Sequence, residues 1–316
     1  MRTRVVALCG GVGGAKLAYG LSRSLPPEEL SIIVNTGDDF EHLGLHISPD
    51  IDTVTYTLAD AADEAQGWGR ADEQWTVMQE IERLGGENWF RLGDRDVALH
   101  LLRTQLLRAG NTLTVATAKL AARFGVRHAI LPMSNEPVRT VVETDEGELA
   151  FQDYFVRRRC EPKTRALRYV GADDARLSPE VTRALDEDNL RGVIVCPSNP
   201  YLSIAPILAV ADLRVRLRAL SAPVLAVSPI VAGLALKGPA AKMMSELGAE
   251  GGALGVARIY SDFIDALLID ARDAALAREC VDTDPRLLVG NIVMASSYSR
   301  VELARTCLAH LDQLRR

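Results

Sequence analysis

A glycine-rich run near the start of the chain has the residue types and spacing needed to hold a phosphate group. Gly10-Gly11-Val12-Gly13-Gly14 follows an apolar segment and precedes Ala15-Lys16. Glycines let the backbone approach an anion, and the following helix directs unpaired N–H groups at it. The run lacks the third glycine of a dinucleotide fingerprint and the Gly-Lys-Ser/Thr of a P-loop, so a tight turn without ligand is the alternative. The predicted phosphate-binding residues are Gly11, Val12, Gly13, Gly14 and Lys16.

Four aspartates in two short segments have the chemistry for metal binding or proton transfer. Asp38 and Asp39 end residues 35–39, and Asp50 and Asp52 lie in residues 48–53. Mg²⁺ prefers carboxylate and phosphate oxygens and offsets the charge that develops during phosphoryl transfer. Turn formation and helix capping are the alternative roles, and Ser48 is an ordinary capping residue type. We predict a metal site that includes Asp38 and Asp39.

Further along the chain, Arg95 stands in Leu92-Gly93-Asp94-Arg95-Asp96, which begins a predicted helix. Asp94 is predicted to cap that helix, and Asp96 suits its positive end. Arg95 has no such structural role. Its planar, permanently charged group can clamp a phosphate or stack on a flat ring.

Two more predicted ligand-binding residues, Ser198 and Asn199, lie between Pro197 and Pro200. Prolines restrict the shape of such a loop, while Ser and Asn present hydrogen-bond donors and acceptors. The histidines show no metal-ligand spacing and are predicted to be structural or exposed. They include His42, His46, His128 and His310.

Short β-branched runs alternate with helical patterns, which predicts helices packed on a sheet of buried strands. The predicted strands are residues 5–8, 31–34, 128–131, 193–196, 224–227 and 267–269. The predicted helices are residues 15–22, 52–61, 72–84, 94–108, 113–124, 179–186, 240–247 and 301–314. The fold class is therefore α/β, a Rossmann-like doubly wound, mostly parallel sheet. The polar segments follow the strands, at the sheet edge where such folds bind ligands.

Two segments interrupt the alternation and are predicted as insertions in a single nucleotide-binding-type domain of residues 1–316. A helical insertion covers about residues 53–124 and holds all three tryptophans, which we expect to be buried. A hairpin insertion covers about residues 138–155 and turns at Asp145-Glu146-Gly147.

The composition of the chain limits the classes of binding partner that are expected. The chain has 316 residues, 48% hydrophobic, and a net charge of −6, so no broad basic face for nucleic acid or an anionic membrane is expected. No C-x-x-C pair, cleavage-site pattern or membrane-length apolar run is present. A cytoplasmic protein with small-molecule partners is expected. The five cysteines are scattered, at Cys9, Cys160, Cys196, Cys280 and Cys307.

The succession of these motifs closely resembles the 2-phospho-L-lactate transferase family, which makes the core of the deazaflavin coenzyme F-420. The likeness runs from the first strand to beyond Gly238. Some members have Ala-Glu-Asp where this chain has Gly37-Asp38-Asp39, so Asp39 is the firmer counterpart. The matching segments are residues 10–16, 34–36, 47–54, 92–96, 130–134, 151–153, 197–200, 226–230 and 238–242.

The resemblance implies transfer of a phospho-three-carbon acid from its guanosine-diphosphate-activated form to 7,8-didemethyl-8-hydroxy-5-deazariboflavin, with release of GMP. The acceptor's terminal ribityl hydroxyl would attack the acid-bearing phosphorus while Mg²⁺ bridges the diphosphate. The acid, whether 2-phospholactate, phosphoenolpyruvate or 3-phosphoglycerate, stays open. The resemblance also points to a homodimer.

The resemblance further implies roles for individual residues. Asp38, Asp39 and Asp50 are expected to supply metal and acid/base positions. Asp50, Asp52 and Arg95 are the expected catalytic and deazaflavin-binding residues, with Asp52 orienting the ribityl hydroxyl. Residues 11–14, Lys16, Ser198 and Asn199 are expected to hold the nucleotide.

Two other functions compete with this interpretation. A related family of nucleotide-sugar-binding regulators shares the glycine-rich start, but it continues Asp-Asp-Gly-Gly-Ser-Ser where this chain has Asp38-Asp39-Phe40-Glu41-His42. A nicotinamide-dependent oxidoreductase rests on fold analogy alone.

Overall fold

A computed structural model describes residues 3–186, 188–235, 238–279 and 285–314. Its strands are β1 (Arg4–Cys9), β2 (Leu30–Val34), β3 (Phe40–His42), β4 (Leu45–Ile47), β5 (Ala129–Pro132), β6 (Arg139–Thr144), β7 (Gly147–Ala150), β8 (Thr164–Val170), β9 (Leu190–Val195), β10 (Val224–Val227), β11 (Ile230–Val231), β12 (Leu234–Ala235), β13 (Ala266–Asp270) and β14 (Arg286–Gly290). Its α-helices are α1 (Gly11–Ser22), α2 (Pro49–Leu58), α3 (Thr76–Arg83), α4 (Asp94–Arg108), α5 (Leu113–Arg123), α6 (Pro179–Ala184), α7 (Ala205–Ala209), α8 (Leu213–Arg218), α9 (Ala240–Glu246), α10 (Gly252–Tyr260), α11 (Ala274–Glu279) and α12 (Ser297–Leu314).

Seven parallel strands form the central sheet in the order β5-β2-β1-β9-β10-β13-β14. Numbered along the chain, this is the strand order of a doubly wound dinucleotide-binding sheet with one more strand at its edge. The predicted α/β, Rossmann-like fold is confirmed, and every pairing in this sheet is parallel. The order reverses between β1 and β9. The loops after these two strands therefore flank the topological switch point, where such sheets bind ligands.

Alternate side chains of the central strands enter two separate cores, one on each face of the sheet. Val5 and Ala7 of β1 point into a core closed by α1, α2, α5 and α12. Val6 and Leu8 point into the opposite core, closed by α6 to α10. Strands covered on both faces are apolar at nearly every position, and for this reason the sequence revealed them.

All six predicted strands are present within a few residues of their expected ends, but the seventh, β14, was not predicted. It lies at the sheet edge, begins with Arg286 and is only partly buried, so it lacks the apolar run of a central strand. The prediction also missed α7, α8, α10 and α11. The first helix begins at Gly11 rather than residue 15, because Gly11 adopts a positive φ of 61° that starts the turn inside the glycine run.

The helical insertion of about residues 53–124 contains the end of α2 and all of α3, α4 and α5, and the antiparallel pair β3–β4 precedes it. Its tryptophans are not buried, contrary to expectation. Trp68 is 47% exposed, and Trp75 and Trp89 are partly exposed. Arg91 stacks over Trp75 and Arg157 over Trp89, so these rings pack against cations at the surface rather than in the core.

The predicted hairpin is present as β6 and β7, and a third strand that was not predicted, β8, completes an antiparallel sheet in the order β7-β6-β8. This small sheet docks beside the end of β2, where the Thr140 N–H donates to the Gly37 carbonyl at 2.8 Å. It therefore lies next to the acidic segment.

The four described cysteines are free, namely Cys9, Cys160, Cys196 and Cys307, and Cys280 lies outside the described residues. None of the described helices is long and apolar enough to cross a membrane.

Candidate active site

The loops after β1 and β9 meet at the switch point. The Gly10 N–H donates to the Ser198 hydroxyl oxygen at 3.2 Å, and that hydroxyl donates to the Gly10 carbonyl at 2.8 Å. A Cβ on Gly13 would collide with the carbonyl oxygen of Pro197, and one on Gly14 with the Ser198 hydroxyl. Glycine is therefore required for this approach, and the two predicted phosphate-binding loops are adjacent.

The N-terminus of α1 already holds a carboxylate. The Gly11 N–H donates to Asp50 Oδ1 at 2.8 Å, and Val12 and Gly13 provide the next backbone N–H groups of the first turn. The ammonium of Lys16, in contrast, lies 3.4 Å from the Met294 carbonyl oxygen, in the loop before α12. The glycine run and the acidic segment thus form one site.

Asp50 is buried between neutral hydrogen-bond donors. Its Oδ2 accepts a hydrogen bond of 2.9 Å from Asn35 Nδ2, which also lies 3.3 Å from the Leu202 carbonyl oxygen. Burial raises the pKa of Asp50 to about 6, although the donors Asn35 and Gly11 oppose the shift. The side chain is therefore a stronger proton acceptor than an ordinary aspartate.

Asp38 and Asp39 are presented by a turn in which the Asp39 N–H donates to the Thr36 carbonyl at 3.2 Å. Both side chains are buried. Burial, followed by the charge of Asp50, raises the pKa of Asp38 well above its usual value. Gln152, from the small sheet's far end, donates to the Asp38 carbonyl at 3.2 Å and fixes the turn from the other side.

One oxygen of Asp39 carries both of its hydrogen-bond partners. Ser48 Oγ donates to Oδ2 at 2.7 Å, and His46 Nε2 lies 3.2 Å from the same atom. Oδ1 is buried and has no hydrogen-bond partner among the described residues. His46 was predicted to be structural or exposed, but it lies against a site carboxylate.

Asp52 forms a buried ion pair with Arg103 of α4. Arg103 Nη1 donates to Oδ2 at 3.1 Å, and Nη2 bonds Oδ1. His100 Nδ1 lies 3.7 Å from the same carboxylate, and burial followed by the Arg103 charge lowers its pKa well below the usual value. Asp52 therefore joins α2 to α4.

Arg95 lies in the first turn of α4 with its side chain half exposed and its guanidinium 4.0 Å from Asp72. The prediction that Asp94 caps this helix is wrong. The N-cap is Gly93, and the Asp94 carboxylate instead accepts the Thr76 and Val77 N–H groups of α3.

Glu73 caps α4 in return. It accepts the N–H groups of Arg95 and Asp96 at 2.8 and 3.1 Å. The reciprocal capping fixes α3 against α4, which explains the acidic residues around Arg95 structurally. The Arg95 guanidinium stays half exposed beside Asp72, where it can meet solvent or a ligand.

Asn199 divides its amide between two tasks. Its Oδ1 accepts the N–H groups of Tyr201 and Leu202 at 2.9 and 3.2 Å, which shapes the loop after β9. Its Nδ2 is a buried donor with no partner among the described residues. A buried, unpaired donor is costly unless a ligand satisfies it, so this atom suits a nucleotide or phosphate oxygen.

The unsatisfied oxygens suit a divalent cation. In the described part of the chain, Asp38 Oδ1 and Asp39 Oδ1 are buried without partners. No group of three or more His, Cys, Asp or Glu side chains there could hold a metal ion on its own. Mg²⁺ is usually bound through one or two carboxylates together with substrate phosphates, and this donor set fits that pattern.

Several other polar motifs are structural. Asn135 Oδ1 accepts the Thr114 N–H at the start of α5. Lys242 bonds Glu246 of its own helix and the Pro162 carbonyl. A cavity of about 390 Å³ is lined by Arg183 and Arg216, and none of the four aspartates of the candidate site lines it.

The sequence did not reveal Ser48, His46, Arg103 and Asn35 as partners of the aspartates. Arg103 is 51 residues from Asp52, so no local pattern joins them. A usable signal was present for Arg103: it occupies a position on α4 that faces the core, and a buried arginine needs a carboxylate partner.

Comparison with known proteins decides the family. Residues 5–291 match the family described as 2-phospho-L-lactate transferase CofD. This chain belongs to that family. It is 42% identical to a phosphoenolpyruvate transferase of Kitasatospora aureofaciens, over 99% of both chains. It is 40% identical to a 2-phospho-L-lactate transferase of Methanosarcina mazei, over 86% of this chain and 88% of that protein.

A solved structure shares the fold of this CofD-family chain. The crystal structure of a UPF0052-family protein from Bacillus halodurans superposes with a TM-score of 0.64 and 13% identity, over 98% of this chain and 99% of that one. At this identity the likeness concerns the fold alone. Membership in the CofD family supports an enzyme, a transferase of phosphorylated acids.

Proposed function

We propose that this CofD-family protein transfers a phospho-three-carbon acid from its guanosine-diphosphate-activated form to 7,8-didemethyl-8-hydroxy-5-deazariboflavin and releases GMP. The observation that carries the proposal is the contact between the α1 N-terminus and Asp50, beside the unpartnered oxygens of Asp38 and Asp39. This places anion-binding amides and acidic side chains at one switch point.

In this reaction the terminal ribityl hydroxyl of the acceptor forms a new O–P bond to the acid-bearing phosphorus. The bond between that phosphorus and the oxygen of GMP breaks, and GMP leaves with the electron pair. Asp50 accepts the hydroxyl proton, because its carboxylate is held by neutral donors and burial makes it more basic. Asp52, which the resemblance assigns to orienting the ribityl hydroxyl, is paired with Arg103 and ties the helix that carries Asp50 to α4.

Asp38 and Asp39 would hold Mg²⁺ through their free oxygens, and Asp50 lies close enough to complete the acidic group. When bound, the ion would neutralise charge on the diphosphate. The amides of Val12 and Gly13 and the free Nδ2 of Asn199 are suited to the guanylyl phosphate, with Ser198 fixing the loop. Arg95 is suited to the acceptor ring or the migrating phosphate.

The test is incubation of the protein with the deazaflavin acceptor and Mg²⁺ in three arms, each with one guanylylated acid: 2-phospholactate, phosphoenolpyruvate or 3-phosphoglycerate. We expect one arm to yield the acceptor plus a phospho-acid, identified by mass, in equal amount with GMP. The arm that reacts also names the donor, since relatives named for two different acids have similar identities of 42% and 40%.

No product in any arm from folded protein would contradict the proposal. Isothermal titration with uridine diphospho-sugars and with GDP then examines the competing nucleotide-sugar-binding regulator. Preference for a uridine diphospho-sugar would favour that regulator, whereas preference for GDP would not.

We also propose that the protein is a cytoplasmic homodimer, as in the interpretation from the sequence. Light scattering during size-exclusion chromatography measures the assembly, and a monomer at micromolar concentration would contradict it.

A further inference from the structure

The geometry around Asp39 points to a role for Ser48, and we propose that Ser48 is a positioning residue that directs the free oxygen of Asp39 at the bound cation. The inference rests on the proposed function, because it needs Asp39 to be a metal ligand. Ser48 does not touch the reacting atoms in this proposal. It acts through the carboxylate that it holds.

Ser48 occupies the N-cap of α2, where a serine hydroxyl ordinarily accepts an N–H from its own helix. Here it makes no capping hydrogen bond. The hydroxyl donates instead to Asp39 Oδ2 at 2.7 Å. The chain thus forgoes a helix cap in order to hold a carboxylate nine residues away.

Both ends of this hydrogen bond are on restrained backbone. Pro49 follows Ser48 and disfavours the helical region for it, and Ser48 is fully buried with φ −126° and ψ 78°. Asp39 is fixed by the turn to the Thr36 carbonyl. A hydrogen bond between two fixed points determines which way the carboxylate faces.

The donors are arranged so that only one oxygen of Asp39 is occupied. Ser48 and His46 both meet Oδ2, and Oδ1 is buried with no hydrogen-bond partner in the described residues. Asp50 differs, because Gly11 and Asn35 occupy one oxygen each. Asp39, like Asp38, therefore keeps one oxygen available.

The neutral hydroxyl also preserves the charge that a cation needs. A guanidinium in the place of Ser48 would neutralise Asp39, as Arg103 does for Asp52. A hydroxyl donor orients the carboxylate and leaves its negative charge for Mg²⁺. Residues that orient metal ligands in this way commonly change metal affinity when they are replaced.

The chain supplies a matched control. Ser178 is also a buried N-cap serine followed by proline, at the start of α6, and it accepts the Val181 N–H at 3.2 Å in the ordinary way. Ser178→Ala should reduce thermal stability without changing metal binding. Ser48→Ala should weaken metal binding.

The experiment is titration of the full chain with Mn²⁺, with free Mn²⁺ followed by electron paramagnetic resonance, for wild type, Ser48→Ala, Ser178→Ala and Asp39→Asn. We expect Ser48→Ala to weaken Mn²⁺ binding about 10–100-fold. Asp39→Asn should weaken it at least as much, and Ser178→Ala should match wild type. Thermal unfolding shows whether each variant is folded. If Ser48→Ala does not fold, Ser48→Thr replaces it. This variant keeps the hydroxyl and should bind Mn²⁺ as wild type does.

The failures are distinguishable. Wild-type Mn²⁺ affinity in Asp39→Asn, or no binding by wild type, would overturn the metal site of the proposed function and this inference with it. Wild-type affinity in Ser48→Ala, when Asp39→Asn has lost it, would overturn the inference alone. Equal losses in Ser48→Ala and Ser178→Ala would also overturn it, as would a loss of Mn²⁺ binding in folded Ser48→Thr.

Discussion

Asp50 and Asp52 stand two residues apart in the first turn of α2, and both are buried, yet their surroundings differ in kind. Asp50 faces the switch point and is held by the Gly11 amide and the Asn35 side chain. Asp52 faces α4 and is paired with the Arg103 guanidinium. Neutral donors position a carboxylate and leave its negative charge in place, whereas a guanidinium neutralises that charge. The Asp50 arrangement suits binding or proton transfer, and the Asp52 arrangement suits holding two helices together.

The same contrast holds for the residues around Asp50 and for those along the contact between α2 and α4. Near Asp50, Asp38 Oδ1 and Asp39 Oδ1 have no partners in the described residues. Along the α2–α4 contact, the Tyr56 hydroxyl donates to Asp96 at 2.5 Å, one helical turn beyond Asp52. Two carboxylate oxygens therefore lack partners where a ligand is proposed. The carboxylates of Asp52 and Asp96 are paired where α2 meets α4, although Arg103 Nε there is buried without a partner among the described residues.

The largest effect is expected for Asp50→Asn, which tests the catalytic role given to Asp50 in this comparison. An amide retains the volume but cannot accept the ribityl proton, so we expect turnover to fall about 10²–10⁴-fold. Thermal unfolding should stay close to that of wild type. Single-turnover kinetics with the acceptor measures the effect, and Asp60→Asn, at an exposed surface pair with Arg23, is the control. Unchanged turnover in folded Asp50→Asn would remove Asp50 from the mechanism.

Arg103→Met tests the Asp52 side of the comparison. It leaves Asp52 buried without its partner, so we expect the free energy of unfolding to drop by about 3–5 kcal/mol in urea titration. The double variant with Asp52→Leu should cost less than the two single variants together. Arg23→Met, at the exposed pair, should cost about 0–1 kcal/mol. If Arg103→Met also cost only about 0–1 kcal/mol, the role of Arg103 in holding α2 against α4 would be contradicted.

The pH dependence of stability also tests the α2–α4 contact. Burial raises the pKa of Asp96 from 3.8 to about 7, so the folded protein holds a proton that the unfolded chain has released. The free energy of unfolding should therefore fall as pH rises from about 4 to 7, by at most about 1.4 kcal/mol per pH unit from this group, and level off above. Denaturation at several pH values measures the slope. Asp96→Asn should reduce the slope, part of which comes from other buried carboxylates with a raised pKa such as Asp50, and an unchanged slope would contradict the assignment.

The smallest effect is expected for Arg95→Ala. The side chain is half exposed, so stability should change by no more than about 0.5 kcal/mol. Loss of a charged contact to the ligand should raise KM for the acceptor about tenfold or lower kcat similarly. Arg108→Ala, at the exposed end of the same helix, should leave both parameters unchanged. Equal kinetics for the two variants would exclude Arg95 from the site.

Much of the fold could be predicted because the central strands are buried on both faces. Residues 224–227 of β10 are entirely apolar, and the sequence identified that strand with the bounds found in the structure. The partly exposed strands β8 and β14 carry arginines and escaped prediction. A strand that is solvated on one side has no apolar run to mark it.

The site could be predicted in outline only. The sequence brought the glycine run, the aspartates and Asn199 to one sheet edge, and the structure places them there. It did not predict the different partners of Asp50 and Asp52, because both are acidic residues in a single helical turn. Their different partners come from segments distant in sequence.

The sequence by itself determined the family, the parallel sheet and the edge at which ligands are expected, since burial and glycine content are local properties of the chain. Only the tertiary structure decided which aspartate meets neutral donors and which meets Arg103, and that Ser48 serves Asp39 rather than its own helix. The direction in which a buried carboxylate faces depends on donors that folding brings together from distant positions, and no local pattern records them.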